Sequence, residues 1–368
     1  MDARLTILMT ADTVGGVWSY AMNLCAALAP HGVSVHLLTL GRKPDEQQWE
    51  QAKGLPNVTV HASDFKLEWM ENPWKDVFLA REWIQSIYER VRPDLLHFNN
   101  FICPHPNWKC PVLTVFHSCV LSWWQSVKKE NAPVSWDCYR DLVRSALEGS
   151  DTVVFPTHAI LEKAKSIYSS IPNPAVIYNG ASINLVNTAK HGFILSAGRL
   201  WDEAKNSRML CDVADDLQWP VVLAGASNEP GISEPAHANV TLLGHLPANE
   251  IKSYMAQSSI FTMPAKYEPF GLAILEAAAS GCALALGDIP TLRELWGDAA
   301  VYFDPFCDDD LRATLNYLTQ DNALREEMAA RATKRATRYT TETMGLNYMA
   351  QYRALLSQNH YELNKYHL

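Results

Sequence analysis

Short apolar runs separated by stretches with helical periodicity repeat along the whole chain. Strands are predicted by runs such as LTILMT, VSVHLLTL, VTVHA, LLHF, PVLTVFH and TVVFP in the first half. A second series begins at Gly192 with GFILSAG and continues with PVVLAG, NVTLLG, SIFTMP and CALALG. Alternating strands and helices are typical of a parallel sheet that has helices on both faces. The pattern therefore predicts an α/β protein with two Rossmann-like, doubly wound domains whose strand-end loops face a cleft.

The stretch PNPAVIYNG is the predicted domain boundary, because it contains two prolines and ends in Asn-Gly. It gives a first domain over residues 1–172 and a second over 173–345. The remaining segment, 346–368, includes most of a helical pattern, ETMGLNYMAQYRALLSQ, that the second sheet does not require. We expect this helix to cross back to the first domain.

Composition narrows the class of protein. The chain has 368 residues, of which 48% are hydrophobic and 19% charged, as in folded globular proteins of more than one core. Its net charge of -9 argues against a nucleic-acid partner. No apolar run approaches the roughly 18 residues of a transmembrane helix, and the N-terminus lacks the pattern of a signal peptide. We expect a cytoplasmic protein, with a peripheral contact at the inner face of the membrane left open.

Eight cysteines are present and none form a C-x-x-C pair, so we expect free thiols rather than a disulfide framework. One group, Cys103, His105, Cys110, His117 and Cys119, is close enough in sequence to raise the alternative of a zinc site. Its spacing matches no usual structural zinc site. We therefore expect no metal and no cofactor.

Ligands of open α/β sheets bind beyond the carboxyl ends of the strands, so the loops that follow the predicted strands hold the candidate site residues. These loops are VGG (14–16), HFNN (97–100), FHSC (116–119), NG (179–180), AGRLWDEAKN (197–206), AGAS (224–227), LGHLP (243–247) and YEPFG (267–271).

The stretch KYEPFGLAILEAAASG places two carboxylates around a helix start. Glu276 lies among apolar residues, where an ionised carboxylate is costly without hydrogen-bond partners. It either faces solvent or caps a neighbouring loop, or it holds two vicinal hydroxyls, as an acidic residue does for ribose in dinucleotide-binding folds. Glu268 is either a first-turn acid favoured by the helix dipole or a ligand-binding group. The amides of Phe270, Gly271 and Leu272 are free to bind an anion or sugar hydroxyls.

Two cations follow the strand FILSA in the loop AGRLWDEAKN. Arg199 offers a bidentate fork and Lys205 a point charge, which together suit a diphosphate. The alternative is that both are surface charges paired with Asp202 and Glu203.

Taken in order, these motifs resemble the retaining glycosyltransferases of family 4, which have the GT-B fold. The family signature of two glutamates separated by seven residues, with Phe-Gly after the first, is matched by Glu268 and Glu276. Further matches are Gly15-Gly16, His117, Asn179-Gly180, Gly198-Arg199 and Lys205. Lys205 stands one residue further from the arginine than is usual in that family. The resemblance extends over nearly the whole chain.

The resemblance implies that the second domain binds a nucleotide-diphosphate sugar and the first binds a hydroxyl acceptor. Glu276 would bind the ribose, Arg199 and Lys205 the diphosphate, and Glu268 the hydroxyls of the donor sugar. His117 would lie near the anomeric centre. It also implies retention of anomeric configuration by front-face attack, without a metal and with cleft closure excluding water. We interpret Asp308-Asp309-Asp310 as the start of a helix rather than a metal motif.

The acceptor and the base are less well defined. Trp123 and Trp124 follow His117 on a predicted cleft loop and offer faces for sugar stacking, while Asn99 and Asn100 offer amides for acceptor hydroxyls. The base pocket is expected at the backbone near Gly244 and Leu246, and the glycine loop at Gly15 and Gly16 is expected to face the donor.

The expected partners are a UDP-, GDP- or ADP-linked sugar and a sugar, glycan or lipid-linked acceptor, in synthesis of a polysaccharide, glycolipid or other glycoconjugate. Two alternatives use the same fold: a nucleotide-sugar epimerase, which needs no acceptor, and a non-catalytic nucleotide-sugar-binding protein.

Overall fold

A computed structural model describes residues 5–102, 108–183, 188–226 and 237–365, without the side chains of 359–365. The chain forms two compact units. The first contains the described parts of 1–125, 130–180 and 341–368, and the second contains Ser126–Lys129 and Ala181–Thr340.

The first unit is built on seven parallel strands. In chain order they are β1 Thr6–Asp12, β2 Ser34–Leu40, β3 Val58–Ala62, β4 Leu95–Phe98, β5 Val112–Val115, β6 Thr152–Phe155 and β7 Pro174–Val176. Their order in the sheet is β3-β2-β1-β4-β5-β6-β7, so the direction of winding reverses between β1 and β4.

Helices cover this sheet, as expected for a doubly wound domain. They are α1 Gly16–Leu28, α2 Glu46–Lys53, α3 Trp74–Val91, α4 Val120–Val127, α5 Asp137–Glu148 and α6 His158–Lys165. Leu8, Leu38 and Leu96 of the sheet pack against Ile84 and Ile87 of α3 in a fully buried core cluster.

The second unit repeats the plan with six parallel strands. These are β8 His191–Ala197, β9 Val221–Ala224, β10 Val240–Gly244, β11 Ser258–Met263, β12 Ala283–Gly287 and β13 Val301–Phe303. The order β10-β9-β8-β11-β12-β13 places the reversal between β8 and β11. The short edge strand β13 was not predicted, because three residues carry too little periodicity to detect.

The helices of the second unit are α7 Ser207–Val213, α8 Ala248–Gln257, α9 Leu272–Ala279, α10 Pro290–Trp296, α11 Asp308–Gln320 and α12 Asn322–Ala336. Leu311 and Leu315 of α11 pack onto Ile194, Leu223 and Ile260 of the sheet. The three consecutive aspartates form the first turn of α11, which confirms their interpretation as a helix start.

The last helix, α13 Thr341–Lys365, belongs to the first unit and packs on α1, which confirms the crossing helix predicted from the sequence. Gly345 makes the close approach feasible, because a Cβ there would lie 2.7 Å from the Cβ of Ala27. No helix among the described residues combines the length and the apolar character needed to cross a membrane.

The unit boundaries differ from the sequence-based ones at 172/173 and 345/346. Val153 pairs with Pro174 and Phe155 with Val176, so β7 completes the first sheet instead of opening the second domain. The first unit therefore continues to Gly180. It resumes at Thr341 because α13 begins there.

Candidate functional site

Two loops of the second unit lie side by side where the strand order of the second sheet reverses. One follows β8 and carries Arg199 and Lys205, and the other follows β11 and carries Glu268. The Lys266 N–H donates to the Ala204 carbonyl at 2.9 Å and ties the loops together. Such a reversal point is where open α/β sheets bind their ligands.

Lys205 contacts Glu268 through an ion pair between its Nζ and the carboxylate Oε2. The side chains are only 17% and 9% exposed, so the pair is largely removed from water. Glu268 Oε1 also accepts the Phe270 N–H at 3.3 Å. Lys205 therefore reaches the carboxylate motif despite its longer interval from Arg199, and its partner is Glu268 rather than the Glu203 of the surface-charge alternative.

Arg199 is paired with Asp202, as the surface-charge alternative predicted. Its Nη2 donates to Asp202 Oδ2 at 2.7 Å, and its guanidinium lies 5.4 Å from the Trp201 ring centre. Burial alone would raise the pKa of Asp202, but Arg199, and to a lesser degree Lys205, holds that pKa below its usual range. The Arg199 side chain stays 41% exposed, so the structure leaves part of the guanidinium accessible to an anion.

Glu276 lies in α9 among the buried Ala277, Ala278 and Ala279 and is itself half-buried. Burial raises the pKa of its carboxyl, and Lys252 opposes that shift. Among the described residues its carboxylate has no hydrogen-bond or ion-pair partner. A desolvated carboxylate of this kind is costly unless a ligand supplies donors to it.

The start of α9 is open. Gly271, with φ +85°, precedes the helix and provides no side-chain cap. Its positive φ favours glycine at this turn, and an added Cβ would also displace Ile274 Cδ1, which would lie 2.8 Å away. Of the three amides expected to bind a ligand, the Phe270 N–H is already engaged with Glu268, while those of Gly271 and Leu272 begin the helix.

Glycines hold the strand ends of this unit close together. A Cβ on Gly225 would lie 1.7 Å from the Gly198 carbonyl oxygen. The Gly225 N–H donates to the Gly244 carbonyl at 2.8 Å, which links the ends of β9 and β10. Gly244, the last residue of β10, and Leu246, in the loop before α8, are both half-buried.

In the first unit, Gly15 and Gly16 are exposed at the start of α1. Gly15 has φ +113° and helix α1 has no side-chain cap, so no capping side chain occupies its first amides. A helix start of this kind suits an anion or a hydroxyl-rich ligand.

His117 follows β5 and is half-buried. Its Nε2 lies 2.9 Å from Asn99 Oδ1, and its ring packs edge-on against Tyr20 with centroids 4.5 Å apart. Burial lowers the pKa of His117 to about 3, so the imidazole is neutral at physiological pH.

The structure argues against the predicted role of Asn99 in binding an acceptor. Asn99 is buried, its Nδ2 donates to the Thr10 carbonyl at 2.8 Å, and its Oδ1 faces two histidine nitrogens. Asn100 is also buried, and its Oδ1 accepts the Ile102 N–H at 3.3 Å. Among the described residues the Asn100 Nδ2 has no partner, so both of its N–H donors are unused.

Trp123 and Trp124 lie on helix α4 and not on a loop, because the helix begins at Val120, directly after Cys119. Both are half-buried, and their rings meet edge to face with centroids 5.9 Å apart. Their part in acceptor binding stays a prediction.

Three residues that the sequence did not single out border these groups. His97 and Tyr352 are hydrogen-bonded to each other at 2.7 Å, and His97 also faces Asn99. Glu68 is buried, and burial raises the pKa of its carboxyl to about 7 even though its Oε1 accepts the Phe101 N–H. His97 lies in β4 and Tyr352 in α13, and no local sequence pattern indicates that two residues so far apart in the chain are in contact.

Of the group considered as a zinc site, Cys103 and His105 lie outside the described residues. In the part of the chain that the structure describes, no three His, Cys, Asp or Glu side chains are grouped as metal ligands.

Two family profiles match the chain in succession. Residues 14–185 match Glycosyltransferase Family 4, and residues 184–335 match Glycosyl transferases group 1. Among curated proteins, O-antigen chain mannosyltransferase B of Escherichia coli is 28% identical over 166 residues, which is 45% of this chain. The matched segment spans only 38% of the length of that relative.

Solved structures share the fold over almost the whole chain. Sucrose-phosphate synthase from Thermosynechococcus elongatus has a TM-score of 0.81 at 16% identity, covering 96% of this chain and 100% of that one. HepE of Anabaena, solved with UDP and glucose, has a TM-score of 0.73 at 17% identity, covering 95% and 100%. The profiles and the fold agree with the glutamate motif, and the chain belongs to the family 4, group 1 glycosyltransferases of the GT-B fold.

Proposed function

We propose that this protein is a retaining glycosyltransferase that moves a sugar from a nucleotide-diphosphate sugar to a hydroxyl acceptor. The product would be a polysaccharide, a glycolipid or another glycoconjugate. Family membership supports the reaction class. A relative of the same fold solved with UDP and glucose, and a curated mannosyltransferase with partial similarity, support the substrate class.

One observation carries the proposal. Around the open start of α9, Glu276 is a partly buried carboxylate that no described residue pairs with, and Glu268 is a buried carboxylate held by Lys205. The first suits a pair of vicinal ribose hydroxyls, whose two O–H groups would offset the cost of its burial. The second, already oriented, suits hydroxyls of the donor sugar.

The charge needed by the reaction is present on protein groups. Breaking the sugar–phosphate bond leaves negative charge on the departing diphosphate, which preorganised cations and amides stabilise. Arg199, Lys205 and the first amides of α9 would supply this stabilisation, so the proposal needs no metal. Losing one such donor typically raises the barrier by about 2.7–4 kcal/mol, or about 100- to 1,000-fold in rate.

Retention of configuration is proposed to follow from front-face attack, in which the departing phosphate oxygen takes the acceptor proton. Retaining hydrolases instead use a carboxylate nucleophile. Glu268 does not suit that role, because its carboxylate is bound to Lys205 and the Phe270 amide. A neutral His117 would lie near the donor sugar and accept a hydrogen bond from a hydroxyl group, without adding a positive charge.

Nucleotide release from a panel of UDP-, GDP- and ADP-sugars, with EDTA present, tests the proposal. We expect slow release from one donor, lost in Arg199→Ala and Glu276→Ala. Matched controls are Arg208→Ala, whose side chain is 78% exposed on α7, and Glu250→Ala on the exposed side of α8. Glu268→Ala should abolish transfer and leave nucleotide binding largely intact.

The outcomes separate the alternatives. Release that requires a divalent metal would contradict the metal-independent mechanism. Conversion of a donor sugar to its epimer without an acceptor would identify an epimerase. Donor binding with no turnover across a panel of acceptors would favour a binding protein.

The ribose assignment of Glu276 has its own test. Glu276→Ala should weaken binding of the preferred nucleoside diphosphate by about 10- to 100-fold, since hydrogen bonds to a charged group contribute about 1.5–3 kcal/mol. The 2′,3′-dideoxy analogue should show the same loss in the wild type and no additional loss in the variant. Equal losses from the analogue in both proteins would contradict the assignment.

A further inference from the structure

A chain of buried polar groups leads from the C-terminal helix to His117. The Tyr352 hydroxyl lies 2.7 Å from His97 Nδ1, and His97 Nε2 lies 3.2 Å from Asn99 Oδ1. The same oxygen lies 2.9 Å from His117 Nε2. All four residues belong to the first unit.

The backbone fixes which way the Asn99 amide points. A carbonyl oxygen only accepts hydrogen bonds, so the Asn99 atom that lies 2.8 Å from the Thr10 carbonyl is the amide nitrogen. The Asn99 N–H also donates to Thr10 Oγ1 at 2.9 Å, which anchors the residue to the end of β1. The Oδ1 oxygen is thereby turned toward the histidines.

This orientation determines the positions of the imidazole protons. Oδ1 is an acceptor, so His117 Nε2, which faces that oxygen at 2.9 Å, must carry the hydrogen. His97 Nε2 faces both Oδ1 at 3.2 Å and the Tyr20 hydroxyl at 3.3 Å. A hydroxyl can accept as well as donate, so a hydrogen on His97 Nε2 satisfies both neighbours, whereas a lone pair there would face the Oδ1 lone pairs. In a neutral ring the other nitrogen then has the lone pair. The Tyr352 O–H therefore donates to His97 Nδ1, while no described residue binds His117 Nδ1.

We propose that Asn99, supported by His97 and Tyr352, is a positioning residue that holds His117 as the Nε2–H tautomer, with the Nδ1 lone pair available to a ligand hydroxyl. The functional part of this inference rests on the proposed transferase reaction. The tautomer itself does not depend on it.

Burial gives the arrangement its strength. His97 is fully buried, and burial lowers its pKa to about 3, so it stays neutral like His117. Buried hydrogen-bond networks restrict rotamers and protonation states more tightly than exposed ones. Tyr352 is itself held rigidly, because α13 packs closely on α1 at Gly345.

Helix α13 also offers a matched control. Tyr348 lies one turn before Tyr352, is equally buried, and has its ring 5.4 Å from that of His97. Among the described residues its hydroxyl interacts with Tyr20 and makes no direct hydrogen bond to His97 or Asn99. Tyr352→Phe and Tyr348→Phe thus remove the same atom from neighbouring positions, and only the first removes a hydrogen bond made to His97 Nδ1.

Long-range proton–nitrogen correlation NMR of the full chain reads the tautomers directly, with assignments from His117→Gln and His97→Gln. We expect the Nε2–H pattern for both histidines. In Tyr352→Phe the chemical shift of His97 Nδ1 should move toward that of an imidazole nitrogen whose lone pair accepts no hydrogen bond. In Tyr348→Phe this shift should stay unchanged. An Nδ1–H pattern for His117, or equal shifts in the two phenylalanine variants, would overturn the proposal.

The reaction gives a second readout. Asn99→Ala should turn the His117 spectrum into a mixture of tautomers. It should lower kcat about 10- to 100-fold, as loss of an orienting partner commonly does. A single Nε2–H tautomer in Asn99→Ala would refute the role of Asn99, whereas correct tautomers in a protein without donor turnover would refute only the proposed function.

Discussion

Gly225→Ala is the substitution for which the structure gives the most definite expectation. The new Cβ would lie 1.7 Å from the Gly198 carbonyl oxygen, and real Cβ contacts do not fall below 3.0 Å. The two strand ends must therefore separate by at least 1.3 Å, the difference between those distances. Such a shift breaks the hydrogen bond from the Gly198 N–H to the Ala224 carbonyl and that from the Gly225 N–H to the Gly244 carbonyl.

The cost follows from these two effects. Gly225 has φ +146°, and a residue with a Cβ loses about 1–2 kcal/mol in such a conformation. Each hydrogen bond contributes about 0.5–1.5 kcal/mol. We therefore expect a loss of about 2–5 kcal/mol in the second unit. Gly244→Ala is the control, since Gly244 has φ +68° but nothing within 4 Å of the added Cβ, leaving only the conformational cost.

Native-state hydrogen exchange of the β8 and β9 amides measures this loss in the second unit alone. At about tenfold in exchange rate per 1.4 kcal/mol, Gly225→Ala should accelerate exchange by at least about 30-fold, and Gly244→Ala by about 30-fold at most. Exchange that is no faster in Gly225→Ala than in Gly244→Ala would refute the steric argument. Because Gly198 leads into Arg199, Gly225→Ala should also weaken nucleotide binding.

Three further predictions concern charged groups. Lys205→Met leaves the buried Glu268 carboxylate without its cation and should destabilise the second unit by about 3–5 kcal/mol. Adding Glu268→Gln should recover much of that stability, as measured in the same exchange experiment. Losses of stability that add up in the double variant would contradict the pairing. Asp202→Asn should lower the unfolding temperature at pH 7, because the native pKa of Asp202 is depressed. The difference in unfolding temperature between the two proteins should vanish as the pH falls through that pKa. A difference that does not change with pH would contradict the electrostatic explanation. Glu68→Gln should have the opposite effect, because the native pKa of Glu68 is raised to about 7. It should raise the unfolding temperature at pH 8 and lose that advantage by pH 4; no gain at pH 8 would refute the account.

The Lys205–Glu268 pair and the Arg199–Asp202 pair would keep the proposed donor site ready. Each cation is held by a carboxylate that is at most 9% exposed, so its position is set before any ligand arrives. Preorganised charges stabilise a departing diphosphate without reorganising during the reaction. Glu276 differs, because its carboxylate has no such partner among the described residues; in the proposed function a ligand would supply its hydrogen bonds.

The sequence by itself determined the features that depend on local pattern. Alternating apolar runs and helical periods predicted two doubly wound sheets, because buried parallel strands require continuous apolar residues and their crossover helices require an amphipathic period. The spacing of Glu268 and Glu276 around a helix start, and the aspartates that open α11, were visible for the same reason. Each of these features is set within about ten residues of chain.

Tertiary structure alone decided the contacts between residues far apart in sequence. It showed that β7 completes the first sheet, that Lys205 pairs with Glu268, and that the side chain of Asn99 faces two histidines. Tyr352 and His97 are 255 positions apart, and their contact exists because α13 returns to pack on α1. Hydrogen-bond partners of this kind depend on the packing of whole elements, which local periodicity does not record.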